Sequence, residues 1–142
     1  MSMKEAALDY VKFGFTVLPL HYPVEGGGCS CGRADCPSIG KHPMTKSGVK
    51  DAFNDPGLVA SWWDKYPNAN IGIATGNGLV VIDVDGEKGR ESLSALLGEF
   101  GFTELPETWT ALTGGGGIHY LFHCADPAIR NRAGIRPNID VR

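Results

Sequence analysis

The sequence predicts a mixed α/β (α+β) domain with helices flanking an antiparallel sheet. Three observations lead there. Segments with helical periodicity alternate with short apolar runs of strand character. Several of those runs are joined by glycine-rich connections of hairpin length. And 142 residues, 42% of them hydrophobic, suffice for one modest core, so a single domain over residues 1–142 is the simplest organisation.

The elements follow in order. Ser2 with Glu5 three residues on forms a capping box for a helix through Ala7, Leu8, Tyr10 and Val11 that stops at Gly14. Phe15 to Leu20 reads as a strand. From His21 to Gly48 periodicity is lost among Gly, Pro, Cys and Ser, and a loop of that length requires either a function or an internal staple. Asp55-Pro56 caps a short helix with Val59, Trp62 and Trp63 inward, closed by Pro67.

Ile71 to Thr75 and Leu79 to Asp85 are expected to pair as an antiparallel hairpin through Gly76-Asn77-Gly78. Glu87 to Phe100 is a helix with Leu93, Leu96, Leu97 and Phe100 on one face and Gly101 as its terminator. A second hairpin joins Thr108–Leu112 to Ile118–His123 through Gly114 to Gly117. A coil segment follows, and Asn138 to Arg142 begins a further strand.

The chemistry concentrates at Val80-Val81-Ile82-Asp83-Val84-Asp85. Alternation along a strand puts Asp83 and Asp85 on one side and Ile82 and Val84 on the other. Two adjacent carboxylates repel each other unless a cation lies between them, and a divalent metal is the commonest such partner. The same alternation leaves His119 opposite the apolar Ile118, Tyr120 and Phe122, and Asp140 opposite Ile139 and Val141. The glycines before His119 admit close approach of a phosphate, and their amides form a candidate anion nest. Three acids and a histidine are the parts of a two-metal nucleotidyl-transfer site.

Cys29, Cys31, Cys36 and His42, spaced C-x-C-x4-C-x5-H, suit tetrahedral zinc that would staple the 21–48 loop, with His21 as a substitute ligand. Cys124 reads as a plain small residue. Gly40-Lys41-His42 lacks the glycine and the Ser or Thr of a phosphate loop, although Lys41 retains a point charge for a phosphate or template.

A formal charge of -3 excludes a nucleic-acid binder that relies on bulk positive charge; the local basic stretch is Arg130, Arg132, Arg136 and Arg142. No membrane span or signal peptide is visible, and a cytoplasmic location is expected.

In this order the motifs resemble the bifunctional primase-polymerase (prim-pol) domain of the archaeo-eukaryotic primase superfamily, found in plasmid, phage and mobile-element replication proteins. Ala6–Leu20 is similar to its opening helix and strand, Trp62-Trp63 with Asn70-Ile71-Gly72 to its central segment, and Leu79–Asp85 to its first metal motif. The glycine run into His119 resembles the second motif, Ile139–Arg142 the third, and the Cys/His insertion one seen in many members.

The resemblance implies an RRM-like antiparallel catalytic sheet. It implies that Asp83, Asp85 and Asp140 ligate Mg²⁺ or Mn²⁺, that His119 contacts the phosphates of the incoming nucleotide, and that Arg142 and Lys41 contact phosphate or template. The partners implied are a DNA template and primer, nucleoside triphosphates, and a helicase domain in a longer protein. Family domains continue past the third motif, so the chain is expected to be truncated, with Asp140 on a terminal segment prone to fraying. Two other classes stay open. One is a zinc-containing nucleic-acid-binding module without catalysis. The other is a haloacid-dehalogenase-like phosphatase, suggested by the apolar run into Asp-x-Asp-Gly.

Overall fold

The structure, a computed structural model, describes all residues from Met1 to Arg142. It has three α-helices and antiparallel sheets, in two compact units, Met1–Ala74 and Thr75–Arg142.

The first unit opens on α1 (Met3–Lys12), whose capping box is complete: the Glu5 amide donates to Ser2 Oγ at 3.2 Å and the Ser2 amide to Glu5 Oε2 at 2.7 Å. The chain leaves it through Gly14 at φ +89° and enters β1 (Val17–Leu20). The following loop carries a short hairpin of β2 (Pro23–Val24) and β3 (Gly28–Cys29) and a single 3₁₀ turn at Gly48–Asp51. In α2 (Pro56–Lys65) Asp55 Oδ1 accepts from the Leu58 amide at 2.7 Å. Ala7, Val11, Val17, Val59, Trp63 and Ala69 form the core, and the Trp63 indole donates to the Ala69 carbonyl at 3.0 Å, so its one polar atom is satisfied.

β4 (Asn70–Ile73) corrects the expected hairpin, because its partner is β1, from Val17↔Ile73 to Leu20↔Asn70. The Gly76–Gly78 turn does close, with Gly76 and Leu79 exchanging bonds of 2.8 and 3.1 Å, but pairing stops at that one bridge. Packing decides against propagation. Ile71 and Ile73 pack on the first core, and a Cβ on Gly72 would lie 2.9 Å from the side chains of Leu18 and Leu20, so β1 lies close against this strand.

The second unit is a five-stranded sheet with one helix on it. β5 (Leu79–Val84) leads into α3 (Gly86–Glu99), then β6 (Trp109–Leu112), β7 (Ile118–His123), β8 (Arg132–Arg136) and β9 (Ile139–Val141), with spatial order β6-β7-β5-β9-β8. Val84, Leu93 and Ile139, joined by Ile82, Leu97, Tyr120 and Ile135, fill the space between sheet and helix. α3 packs tightly at its start, where a Cβ on Gly89 would lie 2.8 Å from the Asn138 carbonyl.

Two expectations are revised. The segment after His123 contains β8, where coil was expected. β9 is not a fraying tail: it is hydrogen-bonded between β5 and β8, and Arg142 exchanges two 2.9 Å backbone bonds with Val81. Backbone paired on both sides resists the fraying that an unpaired terminus would show.

Candidate active site and metal centre

The sheet register builds the first site. Asp83 on β5 stands directly opposite His119 on β7 and Asp140 on β9, so the three occupy one cross-strand row on the face away from α3. Adjacent strands lie about 4.8 Å apart, which brings their Cβ atoms within reach of a shared ligand. The opposite face of these strands is apolar, since Ile82, Val84, Tyr120 and Ile139 pack on α3.

Asp83 is the most constrained of the acids. Its Oδ1 is buried without a hydrogen-bond partner, although the side chain keeps 17% exposure. His119 Nε2 approaches to 3.3 Å, within ion-pair reach but off the line a hydrogen bond requires. A buried carboxylate oxygen without a donor is an atom that a cation would satisfy.

Asp140 is already engaged. Oδ1 accepts from the Gly134 amide and Oδ2 from Arg142 Nη2, both at 2.7 Å. The Gly134 amide reaches it because β8 bulges between Arg132 and Arg136, with Gly134 at φ +63°. Asp85 sits one residue past β5 at the N-cap of α3, exposed, and its side chain does not cap the helix. Its carboxylate instead lies over Gly117, where a Cβ would come within 2.9 Å of Asp85 Oδ1.

The glycine connection is partly committed. The Gly116 amide donates to the Thr113 carbonyl at 3.0 Å and the Gly117 amide to Thr113 Oγ1 at 2.9 Å. The nest expected from all four glycines therefore loses those two donors to the turn itself. Lys41 lies in the first unit, exposed, next to His42 in the chain.

The second site is the cysteine cluster. One ligand atom from each of Cys29, Cys31, Cys36 and His42 gathers within 4.8 Å of the others, and His42 Nε2 is 3.5 Å from both Cys29 Sγ and Cys36 Sγ. Tetrahedral zinc, with bonds of about 2.3 Å to sulfur and about 2.0 Å to nitrogen, would hold those atoms about 3.5 Å apart, so the donor set fits the ion in kind and in spacing.

The protonation chemistry suits a thiolate centre. The Cys31 amide, then the Gly40 amide, donate to Cys29 and hold its thiol down at about 6. Gly40 at φ +72° makes its approach possible, since a Cβ there would press on Pro23 at 3.0 Å. The Ser38 amide pulls Cys36 the same way, but burial and the neighbouring Cys29 and Cys31 sulfurs outweigh it and leave that thiol above its usual range. His21 stays outside the ligand set: its ring stacks on His42 at 4.3 Å and its Nδ1 is 2.8 Å from Ser30 Oγ. Burial, then the neighbouring His42, lowers its pKa. Cys124 stands apart, beside the end of β7.

Sequence reasoning missed the partners of Asp140. The i, i+2 spacing of Asp140 and Arg142 was a readable sign of the ion pair; nothing local announced the Gly134 amide, which depends on a bulge across a strand pair.

No curated protein and no solved structure matches this chain. The family model for bifunctional DNA primase/polymerase, N-terminal, matches residues 7–142. The protein whose sheet aligns Asp140, Asp83 and His119 in one row thus belongs to the Prim-Pol family.

Proposed function

We propose that this chain is the catalytic part of a template-directed nucleotidyltransferase, a DNA primase or polymerase, over residues 1–142. The observation that carries the reading is the row Asp140–Asp83–His119 with its buried, unpartnered Asp83 oxygen. In this reading Asp83, Asp85 and Asp140 hold Mg²⁺ or Mn²⁺. Such ions, when bound, neutralise triphosphate charge and activate a 3′-hydroxyl. His119, 40% exposed beside Asp83, donates a hydrogen bond to a phosphate oxygen of the incoming nucleotide. Arg142 and Lys41 supply positive charge for phosphate or template, and a Cys3His-bound zinc holds residues 21–48 in shape.

The reading extends to a cytoplasmic protein that replicates a plasmid, phage or mobile element, acting on a DNA template and primer beside a helicase domain of a longer chain. No helix is long and apolar enough to cross a membrane.

Primer extension with Mn²⁺, a primed template and deoxynucleoside or ribonucleoside triphosphates tests the reading. Extension that disappears in Asp83→Asn and Asp140→Asn supports it. Salt-dependent binding of single-stranded DNA without any metal-dependent extension would favour the non-catalytic module instead.

A further inference from the structure

Asp83 keeps an oxygen without a donor, whereas Asp140, beside it in the row, has both oxygens taken. The Gly134 amide donates to Oδ1 and Arg142 Nη2 to Oδ2, each at 2.7 Å. The two donors differ in kind. Gly134 is backbone, set by the bulge of β8 at φ +63°, so its bond moves only with the sheet. Arg142 reaches Asp140 through a long side chain that is 47% exposed, and an ion pair so open to water is weak and exchanges readily.

The placement of this pair gives it a role. The Arg142 backbone is held by two 2.9 Å bonds to Val81, so the guanidinium pivots about a fixed Cα on the side of the sheet where Asp140 stands. Of the ion pairs made by Asp83, Asp85 and Asp140, only this one carries a permanent positive charge, because His119 beside Asp83 is a cation only when protonated. A cation shared between Asp83 and Asp140 needs a lone pair from Asp140. Oδ2 is the oxygen that a side-chain rotation can release, while the Gly134 amide keeps Oδ1 and with it the orientation of the carboxylate.

We propose that Arg142 is the resident counter-ion of Asp140: it holds Oδ2 in the metal-free chain, yields it when Mg²⁺ or Mn²⁺ binds, and is thereby released to the triphosphate of the incoming nucleotide. Guanidinium and metal compete for one oxygen, so an anion that draws the guanidinium away tightens the metal, and linkage makes the effect mutual. The inference rests on the proposed nucleotidyl transfer and adds to it a coupling between metal and triphosphate.

The test uses the whole chain, with Mg²⁺, Mn²⁺ and metal-free inorganic triphosphate as probes. In calorimetric titration Arg142→Gln, which removes the charge and keeps a polar amide, is expected to bind Mn²⁺ about two- to fivefold more tightly than wild type, with Arg142→Lys close to wild type. In nitrogen NMR spectra the Arg142 guanidinium signals should show restrained, exchange-protected N–H groups in the metal-free chain and lose that restraint on addition of Mg²⁺. With chelator present, Asp140→Asn should bind inorganic triphosphate more tightly than wild type, and adding Arg142→Gln should remove the gain.

Unchanged or weaker Mn²⁺ binding in Arg142→Gln overturns the proposal, as do guanidinium signals that Mg²⁺ leaves restrained. A triphosphate gain that persists in the double variant overturns the release to phosphate. Failure of wild type and Arg142→Gln alike to bind either metal also overturns the proposal. Mn²⁺-dependent extension with an undisturbed Arg142 signal removes the counter-ion role alone, and a displaced Arg142 in a chain without extension removes the catalytic reading alone.

Discussion

Asp83, the proposed metal ligand, departs from what folding alone would select. A buried carboxylate oxygen without a donor costs about 1 kcal/mol or more. His119, 40% exposed, offers little compensation because solvent screens the pair. Without metal, Asp83→Asn is expected to raise the melting temperature by about 3 °C while abolishing Mn²⁺-dependent extension. A lower melting temperature would mean that the pair with His119 stabilises the fold and that the acid is structural. Gly117 makes a second, sharper case. In Gly117→Ala the new Cβ would meet Asp85 Oδ1 and Thr113 Oγ1 at 2.9 Å, side-chain ends that can swing away, and the Val84 carbonyl oxygen at 3.0 Å, backbone that must give by a few tenths of an ångström. Calorimetric titration should show Mn²⁺ affinity down about tenfold, with the melting temperature lowered as the β5 backbone at Val84 gives way; unchanged affinity would remove Asp85 from the metal set. The shared side of Asp83 and Asp140 was legible because alternation on a strand fixes it, whereas Asp85 lies past the strand end, and its contact with Gly117 was not legible, since it spans a turn.

Elements were legible where the signal was local and lost where it came from partners. α1 and α2 follow from Ser2-Glu5 and Asp55-Pro56, whose side chains make the expected caps. The β6–β7 hairpin likewise forms as the glycine run predicts. β4 broke the pattern because a turn fixes only its own geometry, whereas Ile71 and Ile73 are claimed by the core of α1 and α2. β8 escaped notice because its residues are largely exposed and its bulge at Gly134 destroys alternation; only β9 beside it makes it a strand. The capping box of α1 yields a pH prediction. The Ser2 amide, then its hydroxyl, hold the Glu5 carboxyl below 4.5 in the folded chain. A depressed folded value means that the stabilisation is whole above about pH 4.5 and disappears as pH falls through the folded value. Melting temperatures between pH 6 and 3 should therefore fall less steeply in Glu5→Gln than in wild type; identical slopes would show that the box adds nothing.

At the scale of the whole molecule, two units with separate cores imply that loss of one centre need not disturb the other. The Cys3His cluster belongs to the first, where its loop is also tied by the backbone: the His21 amide donates to the His42 carbonyl at 2.9 Å and the Met44 amide to the Pro19 carbonyl at 3.0 Å. Asn70 Nδ2 donates to the Gly40 carbonyl at 2.9 Å, a third tie. Elemental analysis is expected to find one zinc per chain, and chelation should speed hydrogen exchange over residues 21–48 while the amides of Thr75–Arg142 keep their protection. Acceleration in both units would contradict independent cores, and none in either would contradict a zinc staple. The metal-free chain should also carry a signature in pH. Cys29 is held down at about 6 in the fold against 9.0 unfolded, so its thiolate stabilises fully above pH 9.0 and the contribution declines until it is gone below about 6. Cys36, raised, works in the opposite sense and only above its unfolded 9.0, and His21, lowered, works in the same sense as Cys29 but only below its unfolded 6.5, which leaves the window from 6.5 to 9 to Cys29. Melts of the chelated chain should thus rise in stability across that window, and the rise should flatten in Cys29→Ser. A slope that survives the substitution would mean that the Cys31 and Gly40 amides do not hold a thiolate there, and with it the pre-organisation of the loop for metal would fall.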